Sequence, residues 1–164
     1  MSFRIGFLGP GRLLEVFRTA LANLGYVEGQ NITIESRWPQ ENRLDLVPDA
    51  AAKLVSLGVD VIVAGGGTAA RAAKGATTDI PIIFSVVFDP AESGLIANLK
   101  RPGSNLTGFT TFDPQQARTQ LEILKDLIPK LVRVTVLGDA GGTPALFREN
   151  EDAAWTLLTR AANM

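Results

Sequence analysis

Three consecutive glycines at Gly65–Gly67 are the residues of this chain best suited to hold a ligand. They follow an apolar run, Val59–Ala64, and precede Thr68 and an alanine-rich segment of good helix propensity. This order predicts a strand, a tight turn whose backbone N–H groups approach a ligand closely, and a helix start with partial positive charge. A carboxylate or phosphate is the natural partner, and Gly66, Gly67 and Thr68 are the predicted ligand-binding residues.

The glycine turn also has a plainer interpretation, a tight strand-to-helix connection in which Thr68 is only the N-cap. We favour ligand binding because three glycines exceed what the turn alone requires. If the turn binds a ligand, the Thr68 hydroxyl and the neighbouring backbone N–H groups hold the same carboxylate. A phosphate-binding P-loop is excluded, since no Gly-Lys-Ser/Thr follows.

A second cluster of candidate residues lies at the end of the apolar run Ile82–Val87. Ser85 interrupts that run, either as a buried hydroxyl with an internal partner or as a ligand contact. Val86, Phe88 and Asp89 follow, where a strand end would reach the ligand. Phe88 is suited to stack on an aromatic or apolar ligand. Asp89 is suited to bind an α-amino group or, with the proline after it, to cap a turn.

Two further predicted strand ends supply the remaining candidate ligand contacts. Pro10 and Gly11 let the first helix start near the ligand, although the glycine spacing there does not match the dinucleotide-binding pattern GxGxxG. Arg12 is either an anion clamp or a solvated surface residue, and the second interpretation is favoured. Asp139 lies in Gly138–Gly142, the counterpart of the first glycine turn in the C-terminal part of the chain.

Several other residues have weaker signals. Trp38 follows a predicted strand and precedes a proline, a position that would border a ligand cleft. Tyr26 follows a predicted helix, and we expect it to pack against its neighbours. Arg71, Lys74 and Arg101 are expected on the solvated surface, where a membrane partner would also meet them.

The composition limits the chemistry. The chain has 164 residues with 46% hydrophobic and 20% charged residues, which is typical of a folded globular protein. His and Cys are both absent, which removes the usual general base and the commonest metal ligands. Catalysis by carboxylates alone stays open, but we expect no enzyme, no catalytic residue, no metal site and no cofactor. A net charge of −1 gives no electrostatic case for nucleic acid or an anionic membrane. No apolar run is long enough to cross a bilayer, and the first residues lead directly into a strand, so no signal peptide is expected.

Strands alternate with helices along the first part of the chain, which predicts an α/β fold with a parallel sheet sandwiched by helices. The fourth strand is almost continuously apolar and should be covered on both faces. Ligands of such sheets bind beyond the carboxyl ends of the strands, so Gly9–Arg12, Gly65–Thr68 and Phe88–Glu92 should meet at one rim. The predicted strands are Phe3–Leu8, Asn31–Ser36, Val59–Ala64, Ile82–Val87 and Leu106–Thr110, and the predicted helices are Leu13–Leu24, Leu44–Leu57 with Leu46 facing inward, Thr68–Thr77 and a short one at Leu95–Lys100.

A domain boundary is predicted near Thr110–Asp113, giving an N-terminal α/β lobe at 1–110 and the start of a second at 111–164. The second part should contain a helix, a strand and a helix, a unit too small to be stable by itself, so we expect this lobe to be truncated. Its apolar helix face would then be open, and we expect self-association. The elements are Gln115–Ile128, with Leu121, Leu124 and Ile128 on one face, Arg133–Leu137 and Ala145–Ala162.

Four long segments resemble, in order, the N-terminal lobe of bacterial ABC-transporter substrate-binding proteins, some of which are thought to take up tryptophan or tyrosine. The resemblance implies a type I periplasmic-binding-protein fold, in which two α/β lobes close on a ligand that the position of Thr68 contacts. It also implies a chain about half the family's usual length, a periplasmic or extracytoplasmic location, an ABC permease as partner and an amino acid or related small carboxylate as ligand. The segments are Phe17–Trp38, Leu54–Lys74, Ile80–Thr110 and Leu121–Leu137.

Other functions stay open. A Rossmann-type nucleotide-binding enzyme domain needs an acidic residue at the end of the second strand, and Glu35 is of that type, but the glycine pattern is missing. The ligand-sensing domain of a regulator would share the two-lobe fold. A sugar is the second choice of ligand, although the first lobe lacks an obvious polar cluster for its hydroxyl groups.

Overall fold

The structure, a computed structural model, describes residues 3–40, 43–110, 116–131 and 133–134. The chain separates into two compact units, 1–110 and 111–164, which are described one at a time. The interpretation of each unit as a lobe stays a prediction. The strands are β1 (Phe3–Leu8), β2 (Ile32–Arg37), β3 (Val61–Gly65), β4 (Ile82–Val87) and β5 (Leu106–Thr110), and the helices are α1 (Gly11–Asn23), α2 (Val47–Ser56), α3 (Gly67–Ala76) and α4 (Gln116–Leu127).

The first unit is built on one sheet whose five strands lie in the order β2-β1-β3-β4-β5. Every neighbouring pair is parallel, which confirms the predicted α/β class. Parallel strands joined through helices place all their carboxyl ends at one edge, called the rim from here on. The loops after β1, β3 and β4 therefore leave the sheet at the rim.

Two apolar cores hold the helices on opposite faces of the sheet. The larger core packs α2 and α3 against one face, where Leu54, Ala69 and Ile82 have no exposed surface. The smaller core packs α1 against β1, β2 and β3 on the other face. There the rings of Phe7 and Phe17 lie 5.5 Å apart.

The expectation that β4 is covered on both faces is wrong for the described residues. Phe84 is buried in the larger core, but Ile83 on the opposite face is 38% exposed. Phe109 of β5, two residues along from the register partner of Ile83, is 77% exposed. The smaller core does not include residues of β4 and β5. The apolar sequence of β4 therefore does not mean that the strand is buried on this face.

Two predicted helices differ from the structure. Leu44–Leu46 form a single 3₁₀ turn, and α2 begins at Val47 with a proline in its first turn. Leu46 is 39% exposed while Val47 is fully buried, because Leu46 lies in the 3₁₀ turn before the helix, whereas Ala50 and Leu54 are buried as predicted. Leu95–Lys100 is not a helix but a series of bends that follows a turn at residues 90–94. Its start is held by the N–H of Leu95, which donates to Pro90 O at 2.9 Å.

The second unit is described mainly through α4. Leu121 is buried, whereas Leu124 and Ile128, predicted on the same face, are 39% and 50% exposed. Arg118 pairs with Glu122 at 2.9 Å along the helix. Of the other predicted elements, the first two residues of Arg133–Leu137 have no regular structure, and its remainder, Gly138–Gly142 and Ala145–Ala162 lie outside the described residues.

Candidate functional site

The turn between β3 and α3 exposes main chain at the rim. Gly66 has φ +102° and ψ 168° and is the N-cap of α3, which begins at Gly67. Thr68 is thus inside the first helical turn, and the plainer interpretation, in which Thr68 is only the N-cap, is wrong. The carbonyl of Gly66 accepts from Ala70 N–H at 3.0 Å. Among the described residues, no atom accepts a hydrogen bond from the N–H groups of Gly67 and Thr68, which is the usual state of a helix N-terminus.

The end of β1 lies directly beside this turn. A Cβ on Gly9 would lie 3.3 Å from the Cα of Gly65, so the two strand ends approach at main-chain distance. Pro10 then caps α1, and its carbonyl accepts from Leu13 N–H at 2.9 Å. Gly11 is the first residue of α1, with nothing within 4 Å of where its Cβ would be. The start of α1 and the start of α3 therefore both lie at the rim.

A cationic side chain lies at the start of α3. The nearest guanidinium nitrogen of Arg71 is 3.5 Å from where a Cβ on Gly67 would lie. Helical side chains lean toward the N-terminus, which brings a residue four positions along back over the first turn. The sequence analysis placed Arg71 on the surface. It is exposed, and its spacing of four residues from Gly67 is the sequence signal for its place at the start of α3.

The end of β4 has an unusual backbone. Val86 and Asp89 have positive φ values of +54° and +32° although neither is glycine. The register of β4 with β5 shifts between Phe84 and Val87, and the Val86 side chain beside that shift is 59% exposed. Ser85 is half-buried and pairs with Gly65, and its carbonyl accepts from Gly66 N–H at 2.9 Å. The exposed valine therefore follows directly on the residue that contacts the glycine turn.

Asp89 and Phe88 differ in what the structure shows of them. One carboxylate oxygen of Asp89 accepts from Glu92 N–H at 2.9 Å, and the Asp89 carbonyl accepts from Ser93 N–H at 3.1 Å. This is the turn-capping geometry that the sequence offered as one of two roles. Phe88 is half-buried, and its predicted stacking on a ligand stays a prediction.

The comparisons with known proteins concern the same residues. The sequence model of a family described as "ABC transporter substrate binding protein" matches residues 10–146. The chain belongs to this family. This match confirms the resemblance seen in the sequence, and the parallel α/β sheet agrees with the fold class that the resemblance implies.

Relatives of this substrate-binding protein include amino-acid binders. A protein named "Tyrosine-binding protein" from Clostridioides difficile (strain R20291) is 40% identical over 121 residues, which are 74% of this chain and 34% of that protein. A solved structure of an ABC domain in complex with L-Trp from Streptococcus pneumonia has a TM-score of 0.74 and 26% identity. It is matched over 99% of this chain and 54% of its own.

A ligand-free, open structure of a substrate-binding protein with adhesive properties from Clostridium difficile is also similar. Its TM-score is 0.71 at 29% identity, and the match covers 97% of this chain and 54% of that chain. The chain thus spans about a third of the curated relative and about half of the solved structures.

The remaining sequence candidates have mixed outcomes in this family member. Trp38 is half-buried and packs against the larger core. Tyr26, expected to pack, is 46% exposed. Lys74 is not simply solvated, because its ammonium donates to Gly94 O at 2.7 Å. Glu35 pairs with Arg37 at 3.4 Å, and Arg101 is exposed. Asp139 lies outside the described residues.

Two absences can be stated for the described part of the chain. It holds no group of three or more acidic residues placed to bind a metal ion. None of its helices combines the length and the apolar character needed to cross a membrane.

Proposed function

We propose that this protein binds a small carboxylate-bearing solute, an amino acid with an apolar or aromatic side chain, at the rim of its first unit. The observation that carries the proposal is the juxtaposition of the start of α3 with the exposed side chain of Val86. The contact between them runs through Gly66 N–H and Ser85 O, 2.9 Å apart.

The start of α3 supplies the anionic half of the recognition. The N–H groups of Gly67 and Thr68 lie at the positive end of a ten-residue helix, and Gly66 has no side chain to keep a ligand away. The Thr68 hydroxyl is half-exposed on the same turn and can donate to the same carboxylate. The guanidinium of Arg71 adds a full positive charge beside Gly67.

The end of β4 supplies the apolar half. Val86 is 59% exposed, and Phe88 follows it two residues later. Apolar side chains beside a few convergent polar donors are the usual composition of a small-molecule site. A ligand whose carboxylate lies at α3 would direct its side chain toward this strand end. Asp89 is the proposed partner of the α-amino group through its Oδ2, because its Oδ1 accepts from Glu92 N–H.

The relatives support the same ligand class. One of them is named for tyrosine, and another was solved in complex with L-Trp. We extend the proposal to a protein that acts outside the cytoplasm without catalysing a reaction. A second α/β lobe would close over the bound ligand and shift the open–closed equilibrium, and an ABC permease would recognise the closed form. We also propose that the chain self-associates through the exposed apolar residues of α4.

Calorimetry with the purified protein tests the ligand class. L-Tryptophan and L-tyrosine should bind, while tryptamine and tyramine, which lack the carboxylate, should not. Thr68→Val should weaken L-tryptophan binding about tenfold, the usual effect of losing a hydrogen bond to a charged group. Thr33→Val is the matched control, because Thr33 is exposed on β2 next to Arg4, away from the rim, and it should bind as the parent does. Tryptamine binding equal to that of L-tryptophan would contradict the carboxylate site, and a response to sugars or nucleotides alone would replace it.

A further inference from the structure

Val86 is the one non-glycine residue of positive φ within the described strands. A φ of +54° is rare for any residue with a Cβ and rarer for a β-branched one, whose two γ carbons crowd the backbone. Such a conformation persists only where the surrounding contacts determine it. The contacts on either side of Val86 therefore decide whether its side chain stays at the rim.

The contact before Val86 comes from the glycine turn. Ser85 is in register with Gly65, and its carbonyl accepts from Gly66 N–H at 2.9 Å. This bond is between main-chain atoms and fixes the direction in which β4 enters the strained residue.

The contact after Val86 comes from a side chain. Phe84 pairs with Gly108 and Val87 with Thr110, so two residues of β4 lie opposite one residue of β5, which is the pattern of a β-bulge. A bulge interrupts the regular ladder of backbone hydrogen bonds. Here the hydroxyl of Thr110 donates to Val87 O at 2.8 Å, immediately after the interruption.

We propose that Thr110 is a positioning residue of the ligand site: its hydroxyl holds the bulged end of β4 so that Val86 keeps its positive φ and presents its side chain to the ligand. This inference rests on the proposed function of the rim. Thr110 itself ends β5, and in this proposal it acts through Val86 and not by contact with the ligand. Its effect is therefore on the apolar part of the ligand and not on the carboxylate, which the start of α3 binds.

The test compares Thr110→Val, which keeps the shape and removes the hydroxyl, with Thr110→Ser, which keeps the hydroxyl. Affinities are measured by calorimetry for L-tryptophan and for L-alanine, which share the carboxylate and differ in side chain. Thr110→Val should weaken L-tryptophan binding about fivefold, as expected for one neutral hydrogen bond, and change L-alanine binding less than about twofold. Thr110→Ser should restore the parent affinity for both amino acids.

Two further measurements separate positioning from general loss of structure. In the parent, NMR should show a strong cross-peak between the amide proton and Hα of Val86, the signature of a positive φ, and Thr110→Val should weaken it. In a Val86→Gly background there is no side chain left to position, so adding Thr110→Val should have no further effect on L-tryptophan binding.

The outcomes are distinct. Equal loss of L-tryptophan and L-alanine affinity in Thr110→Val, an unchanged Val86 cross-peak, or additive losses in the double variant would each overturn the role of Thr110 while leaving the proposed function intact. A parent protein that binds neither amino acid would instead overturn the proposed function, and with it the role assigned here.

Discussion

The chain turns away from the sheet at the ends of both β3 and β4 through a residue of positive φ, but it uses opposite residue types. Gly66, after β3, has φ +102° and carries no side chain. Val86, at the end of β4, has φ +54° and carries a branched one that is 59% exposed. The two residues are close, because Gly66 N–H donates to the carbonyl of Ser85, the residue before Val86.

The difference separates two tasks of a binding site. A bare main chain suits a group that every ligand of one class shares, which in the proposed function is the carboxylate, because backbone N–H donors are the same whatever residue provides them. A side chain suits the part that differs between ligands, since it can be changed without altering the turn. The glycine end is relaxed and general, and the valine end is strained and specific.

The largest effect that tests this contrast is expected from Gly66→Ala. The φ and ψ of Gly66 fall in a region that is essentially restricted to glycine, and nothing lies within 4 Å of its missing Cβ. The penalty is therefore conformational, and we expect the free energy of unfolding to fall by about 2 kcal/mol in urea denaturation. L-Tryptophan binding should fall with it.

Gly75→Ala provides the control for that experiment. Gly75 lies in the last turn of α3 and also has open space around its missing Cβ, but its φ is not positive. Alanine there should raise the free energy of unfolding by about 0.5 kcal/mol, as in other helices. If both substitutions stabilised the protein, the conformational penalty that we assign to a side chain at position 66 would be wrong.

The sequence predicted the glycine end better than the valine end. Gly65–Gly67 end an apolar run, and consecutive glycines at such a place indicate a tight turn of exposed main chain. Val86 looks like any residue of a buried strand, and its positive φ depends on the bulge against β5, a long-range pairing that local sequence does not contain. Its place in the predicted site came from its position at a strand end.

Val86→Gly, for which we expect an effect of intermediate size, tests the backbone strain at Val86 directly. Glycine removes the steric penalty but raises the entropy of the unfolded chain, and the two effects oppose each other. We expect the free energy of unfolding to change by less than about 1 kcal/mol. Val63→Gly on β3, where the valine packs against the smaller core, should cost about 2 kcal/mol or more.

A loss at Val86 as large as the loss at Val63 would show that the residue is not strained. L-Tryptophan affinity should fall in Val86→Gly even where stability does not. A fall in affinity without a fall in stability is the mark of a residue kept for binding.

The helices and strands could be predicted from the sequence because the patterns that indicate them are local. Alternating apolar strands and amphipathic helices predicted all five strands and the position of α1 to α4 to within a few residues. The failures are where tertiary contacts decide. Leu95–Lys100 has helix-like composition, but the bonds of Leu95 and Ile96 to Pro90 O fold it into bends. Arg71 was missed because its charge is at the rim only through its return over the first turn of α3.

The smallest effect is expected at Asp89, which is, with Val86, one of two non-glycine residues of positive φ in the described part of the chain. Asn tolerates φ +32° as well as Asp does, and its side-chain oxygen can accept from Glu92 N–H in the same way. Asp89→Asn should therefore change the free energy of unfolding by less than about 0.5 kcal/mol, whereas Asp89→Ala, which loses the cap, should cost about 1 kcal/mol. Calorimetry then decides the second role of this residue. If Asp89 binds the α-amino group, Asp89→Asn weakens L-tryptophan binding while the turn stays intact. An unchanged affinity would show that Asp89 only caps the turn and that the end of β4 contributes apolar contacts alone.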